Sequence, residues 1–197
     1  MEKYLQSCKT EFWKNVFKAE LDYILRELNG AKDVLSVGCG PAIIEAGLAE
    51  HGFNVTGLDI SKEALDQVPD KIRTVVGSAE EMDFEDCSFD AAIYVASLQF
   101  IENYKEAVKQ TARVLRAGGK LLAMLLNPQS QFFKEKVNNP ASYVSKIKHT
   151  DLREIERTIA EYLSIQAEFF LGIKEQQIFK SQNPDLAGLY VIKGTLS

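Results

Sequence analysis

Val34-Leu35-Ser36-Val37-Gly38-Cys39-Gly40-Pro41-Ala42 is the stretch that decides how this chain folds. An apolar run of strand length stops at two glycines one residue apart, and an amphipathic segment follows. Glycine has no Cβ, so it turns sharply and lets a ligand approach bare backbone. A strand that ends this way and opens a helix is a nucleotide-binding device. A second apolar run, Phe53 to Leu58, ends in Asp59. A carboxylate there accepts hydrogen bonds from both hydroxyls of a ribose. The glycine turn and the strand-ending acid together predict an adenosine-containing cofactor at Gly38, Cys39, Gly40 and Asp59.

Outward from that stretch, helical and extended patterns alternate. Trp13, Val16, Phe17, Leu21, Ile24, Leu25 and Leu28 form a face of helical period over Glu11–Leu28, which Asn29-Gly30 ends. After the first strand, Val34–Val37, Pro41 suits the first turn of a helix carrying Ile43, Ile44 and Leu48. Asp59 to Glu63 reads as the entry to another helix, Arg73–Val76 as a third strand and Phe89–Val95 as a fourth. Tyr104–Arg116 is amphipathic, with Gly118-Gly119 as its stop, and Leu121–Leu126 is apolar throughout, as in a strand buried on both faces. The tail differs: a helix over Asp151–Tyr162, then extended segments at Ser164–Gly172, Ile178–Lys180 and Leu189–Ile192. Extended segments joined without a helix form a hairpin. The fold expected is therefore α/β: a Rossmann-like, seven-stranded, mostly parallel sheet with a C-terminal antiparallel hairpin and helices on both faces.

Length and charge narrow the functions. The 197 residues fit one domain over 1–197, with residues 1–30 as a helical N-terminal segment. A net charge of −5 without a basic run disfavours nucleic acid as partner. No apolar stretch approaches the roughly 20 residues that span a bilayer. Met1 to Gln6 shows no signal-peptide core. Cys8, Cys39 and Cys87 are odd in number and scattered, so neither a disulfide framework nor a zinc site is indicated. A cytoplasmic location, no metal, and a monomer or homodimer are expected.

Four stretches, in order, carry a resemblance. Val34–Ala42 is the first. Val55-Thr56-Gly57-Leu58-Asp59-Ile60-Ser61 is the second, and Gly77–Asp90, from Gly-Ser-Ala-Glu-Glu to Ser-Phe-Asp, the third. Val114-Leu115-Arg116-Ala117-Gly118-Gly119-Lys120-Leu121-Leu122 is the fourth. Together they resemble a class I S-adenosylmethionine-dependent methyltransferase of the small type-11 group, over roughly Leu21 to Leu196. The resemblance implies S-adenosylmethionine as cofactor, S-adenosylhomocysteine as product, and the N-terminal segment, residues 1–30, as a lid over the cofactor. It implies cofactor contacts at Ser36, Gly38, Cys39, Gly40, Asp59 and Ile60. Further contacts are implied at Ser78, Ala79 and Glu80 on the adenine side, and at Val95, Ala96 and Gln99 after the fourth strand. The chain departs from the family pattern in three places. Ser36 stands where an acid usually helps hold the methionine ammonium, Ala42 where a third glycine is common, and Ser78 where an Asp is frequent.

Methyl transfer from such a donor needs little machinery: an in-line nucleophile about 3 Å from the methyl carbon in a dry pocket. No residue announces itself as a general base. Strand 4 ends Tyr94-Val95-Ala96-Ser97, unlike the Asn/Asp-Pro-Pro-Tyr/Phe of amino-methylating DNA enzymes. A small molecule is the acceptor expected, with specificity in the insert at residues 127–150. Two other readings stay open. A nicotinamide oxidoreductase would share Asp59 but wants a third glycine near Ile43, and a non-catalytic cofactor-binding module would share the whole motif set. Asp59 also has an alternative role as the cap of the following helix.

Overall fold

The computed structural model describes Cys8 and residues 10–140 and 142–197. The outermost part of the expected lid, residues 1–7 and 9, lies outside the described residues. The elements are, in chain order, α1 (Glu11–Glu27), β1 (Asp33–Val37), α2 (Ile43–Glu50), β2 (Asn54–Asp59), α3 (Lys62–Leu65), β3 (Arg73–Val76) and β4 (Phe89–Val95). Then follow α4 (Tyr104–Val114), β5 (Leu115–Leu126), α5 (Gln131–Val137), α6 (Leu152–Ala160), β6 (Leu163–Lys174), β7 (Gln177–Phe179) and β8 (Ala187–Leu196). One sheet runs β3-β2-β1-β4-β5-β8-β6-β7. The first five strands are parallel to one another, and β8, β6 and β7 are antiparallel to their neighbours. The expected architecture stands with one addition. The sheet has eight strands rather than seven, because three-residue β7 turns back on the end of β6.

Alternation along β1 builds the two layers. Val34 and Ser36 face α1 and α2, while Leu35 and Val37 face the α4 and α6 side, since successive side chains of a strand point to opposite faces. The helices begin where capping residues satisfy their first amides. Thr10 caps α1, Asn103 α4, Ser130 α5 and Asp151 α6, each side chain accepting from backbone N–H two or three residues on.

One expectation is filled in and one moves. The helix after β2 is one turn, α3, because Pro69 and the polar stretch around it carry no further apolar face. Helix α4 ends at Val114, not Arg116, and Gly118-Gly119 lies within the irregular start of β5. Leu115 is already extended, with φ −75° and ψ 139°, and is paired with Phe89. That pairing captures a fully buried leucine before the glycines are reached.

The insert has structure that the sequence pattern did not announce: α5 and a 3-10 turn at Tyr143–Lys146. Asn127 begins it as a turn, its amide donating to Pro184 O (2.6 Å) and Ala187 O (2.7 Å).

Candidate active site at the carboxyl ends of the strands

The parallel strands deliver their carboxyl ends to one edge of the sheet, where this architecture leaves a crevice. Gly38 N–H and Cys39 N–H both donate to Leu58 O, at 2.7 and 3.3 Å. Gly40 N–H then donates to Asp59 Oδ2 at 2.8 Å. The glycine turn is thus stitched to the end of β2. Gly38 has φ +72°, and a Cβ on it would sit 2.6 Å from Ser97 Cβ, so this position admits only glycine. Ser97 lies that close because its hydroxyl donates to Val37 O at 2.5 Å, fastening the loop after β4 to the end of β1. Gly40, at φ +54°, has open space where a Cβ would point. On β2, Gly57 makes room for the Cys39 thiol, which would meet a Cβ at 2.7 Å. Burial above all, then the charges of Glu45 and Asp59, pushes that thiol up, so it stays protonated.

Asp59 has two jobs open to it. Its Oδ1 accepts from Ser61 N–H at 2.8 Å, and the cap of α3 is Ser61, whose hydroxyl accepts from Ala64 N–H. Each Asp59 oxygen thus takes one backbone N–H and keeps lone pairs for further donors. Beside it, Ile60 is 78 % exposed, and Val76 at the end of β3 is 56 % exposed. Ile60 follows Asp59 in the chain and Val76 is its register partner on β3, so a ligand held at Asp59 would cover apolar surface. Open space over Gly40, spare lone pairs on Asp59 and bare apolar walls fit an adenosyl group.

The remaining predicted residues divide. Ser78, Ala79 and Glu80 stand at the carboxyl end of β3, where Gly77 N–H reaches Asp59 O. Ser78 Oγ accepts from Glu80 N–H at 3.1 Å, and Glu80 Oε1 accepts from Asn103 N–H at 2.8 Å. Val95 closes β4, and Ala96, at φ +49°, donates its N–H to Met124 O. Gln99 is a different matter. Completely buried, its amide nitrogen donates to Leu126 O and His149 O, and its oxygen accepts from Leu126 N–H at 2.6 Å. Its side chain is spent inside the fold, clamping the end of β5 to the end of the insert. Ala42, where a third glycine is common, keeps the glycine conformation: φ 56°, ψ 44°. An L-residue there costs about 1–2 kcal/mol.

Ser36 meets no solvent, being 1 % exposed, and its hydroxyl donates to Glu45 Oε1 at 2.5 Å. Glu45 reaches it from α2 and is 3 % exposed. Glu20 of α1 is 5 % exposed, and its Oε2 has no hydrogen-bond partner among the described residues. Neither glutamate was singled out by the sequence reading. The signal was present for Glu20, which stands four residues from Val16 and four from Ile24, on the buried stripe of its helix.

A cleft of about 370 Å³ opens elsewhere, between Pro128, Gln129, Leu152, Phe169, Pro184 and Tyr190, bordering both ends of the insert. Among the described residues no group of His, Cys, Asp and Glu could hold a metal ion, and no helix is long and apolar enough to cross a membrane.

Comparison with known proteins shows what the chain is similar to. A family model described as a methyltransferase domain, of the type-11 group, matches residues 35–123. The ubiquinone biosynthesis O-methyltransferase of Vibrio parahaemolyticus is 25 % identical over 182 residues, 77 % of this chain and 77 % of that protein. The sterol 4-C-methyltransferase strm-1 of Caenorhabditis elegans is 30 % identical over 118 residues, 55 % of this chain. The chain spans only 35 % of that relative's length. Among solved structures, a SAM-dependent methyltransferase from Thermotoga maritima superposes with a TM-score of 0.82 at 18 % identity, covering 98 % of this chain and 94 % of that one. One from Archaeoglobus fulgidus gives 0.79 at 17 % identity, covering 98 % and 99 %. At such identities the structures speak for the fold.

Proposed function

We propose that the chain is a class I S-adenosylmethionine-dependent methyltransferase of the type-11 group and that it transfers a methyl group to a small-molecule acceptor in the cytoplasm. One observation carries the reading: the turn at Gly38–Gly40 is hydrogen-bonded to Asp59 beside the exposed Ile60. The bound cofactor supplies a methyl group already activated by its sulfonium, so the protein is left with positioning and drying. Asp59 orients through its spare lone pairs toward a ribose, and Gly40 admits a ligand against bare backbone. Ile60 and Val76 give apolar walls that exclude water once covered. Ser78, Ala79 and Glu80 supply polar groups at the end of β3, and Val95 and Ala96 present backbone after β4. No side chain is assigned as a general base. Attack in line at about 3 Å in a dry pocket supplies most of the acceleration such a transfer needs.

The relatives' names are those of a ubiquinone biosynthesis O-methyltransferase and a sterol 4-C-methyltransferase, which put oxygen and carbon acceptors first. The acceptor panel therefore begins with phenols and with compounds methylated at carbon. Calorimetry with S-adenosylmethionine, S-adenosylhomocysteine and NAD, followed by turnover with a labelled methyl group, tests the proposal. Binding of both adenosyl ligands and label in an acceptor are expected. Binding of NAD without S-adenosylhomocysteine would overturn it, and binding without turnover on any acceptor would favour a non-catalytic module.

A further inference from the structure

The family pattern's acid at the end of β1 is replaced by Ser36, yet a carboxylate stands there nonetheless. We infer that Glu45, hydrogen-bonded to Ser36 from α2 and backed by Glu20 from α1, is the acid that receives the cofactor's methionine ammonium. The inference rests on the cofactor reading above and adds to it the residue that carries the charge.

Three observations support it. Ser36 faces the α1 and α2 side of the sheet, and its hydroxyl delivers Glu45 to the position a strand acid would occupy. Both glutamates are buried, and among the described residues neither is in an ion pair. Glu20 Oε2 is buried without a partner, as an oxygen awaiting a donor would be.

An acid pair without a cation is costly to bury, and the empty protein meets that cost with protons. Burial pushes Glu45 up to about 7 and Glu20 up to about 8, the second helped by the nearness of Glu45. Among the described residues, the titratable groups that act on them are acids or neutral. Asp59 on β2 faces Glu45, the Cys39 thiol lies beside both Glu45 and Asp59, and Tyr143 faces Glu20 from the insert. An arriving ammonium favours the ionised carboxylates, so binding near neutral pH expels a proton.

The test is titration calorimetry on the full chain near pH 7, in two buffers of different ionisation heat. The ligands are S-adenosylmethionine, S-adenosylhomocysteine and 5′-methylthioadenosine, the last lacking the amino-acid part. Glu45→Gln keeps the size and removes the charge. It should weaken both amino-acid-bearing ligands about tenfold or more and leave methylthioadenosine within about twofold. Proton release on binding should shrink with it. The double variant Ser36→Asp/Glu45→Gln returns the acid to the strand and should regain the lost affinity. If Glu45→Gln weakens all three ligands equally, or none, the inference falls while the cofactor reading stands. If the wild type binds none of the three, the cofactor reading itself falls. Should the double variant fail to fold, the proton count and the ligand pattern of Glu45→Gln still decide.

Discussion

The two ends of the central strands treat their carboxylates in opposite ways. At the amino ends, Asp33 of β1 and Asp90 of β4 share Arg116, at 3.0 and 2.5 Å. Asp90 also accepts the N–H groups of Lys32 and Asp33, both at 2.9 Å. Asn54 above all holds Asp33 low, with Arg116 next, and the Asp33 N–H leads for Asp90. At the carboxyl ends, Glu45 and Glu20 sit deeper, have no cation partner among the described residues and are held high. The first set is finished by the fold. The second is left for a ligand to finish, and the contrast separates acids that hold a structure together from acids kept for binding.

The largest effect expected is in the second set. A carboxyl group held high stabilises fully below its unfolded value, near pH 4.5, and that contribution is lost as pH rises through about 8. The empty protein should therefore lose stability between pH 5 and pH 8.5, and Glu20→Gln should flatten the slope. Its advantage at pH 8.5 is expected to be on the order of a few kcal/mol and to vanish near pH 4.5, read from urea melts across pH. A wild-type profile that is flat over this range would erase the contrast.

Asp59 comes next. Asp59→Ala removes a charged acceptor and should weaken S-adenosylhomocysteine by about 1.5–3 kcal/mol, tenfold or more by calorimetry. It also unties Gly40 and Ser61, so the melt of the empty variant should fall as well. Unchanged affinity would leave Asp59 as a loop tie alone.

At the amino ends the sign reverses. Acids held low stabilise above their unfolded values and lose that contribution as pH falls below about 4. Arg116→Met should move the acid limb of unfolding to higher pH while leaving the slope between pH 5 and 8.5 unchanged. An altered alkaline slope would mean that the two strand ends are coupled. The smallest effect is expected at Ala42. Ala42→Gly relieves the left-handed backbone at the start of α2 and should gain about 0.5–1 kcal/mol, net of glycine's greater unfolded-state entropy.

What the sequence disclosed follows the same division. β3 and β4 lie where period and composition put them, and β1, β2 and the bounds of α1 shift by one residue at most. Such elements are fixed by local pattern. The helix α4 could not be bounded that way, because its end is set by the pairing of Leu115 with Phe89, a contact distant in sequence. β7 was read as extended within one residue, at Ile178–Lys180, but its place as an eighth strand at the sheet's edge rests on pairing with Gly172–Lys174. Gly38, Gly40 and Asp59 were legible because a turn and a strand-ending acid are local features. Glu45 was not, since an acid on a short helix ordinarily reads as solvated and only Ser36 and the burial of α2 show otherwise. Gln99 illustrates the reverse: its place after β4 suggested a ligand contact, and tertiary packing gave its amide to the scaffold.

That clamp has a consequence for engineering. Leu126 enters the insert and His149 leaves it, and both are bound to one side chain, with Lys148 N–H and His149 N–H also donating to Gln99 O. The two ends of the segment between them are thus held by one residue, while Asn127 ties it to Pro184 and Ala187 and Phe132, Phe133 and Val144 bury its interior in the core. An exchange of residues 127–147 for another segment would therefore have to keep the glutamine, span the same gap and return to the core the apolar side chains of Phe132, Phe133 and Val144.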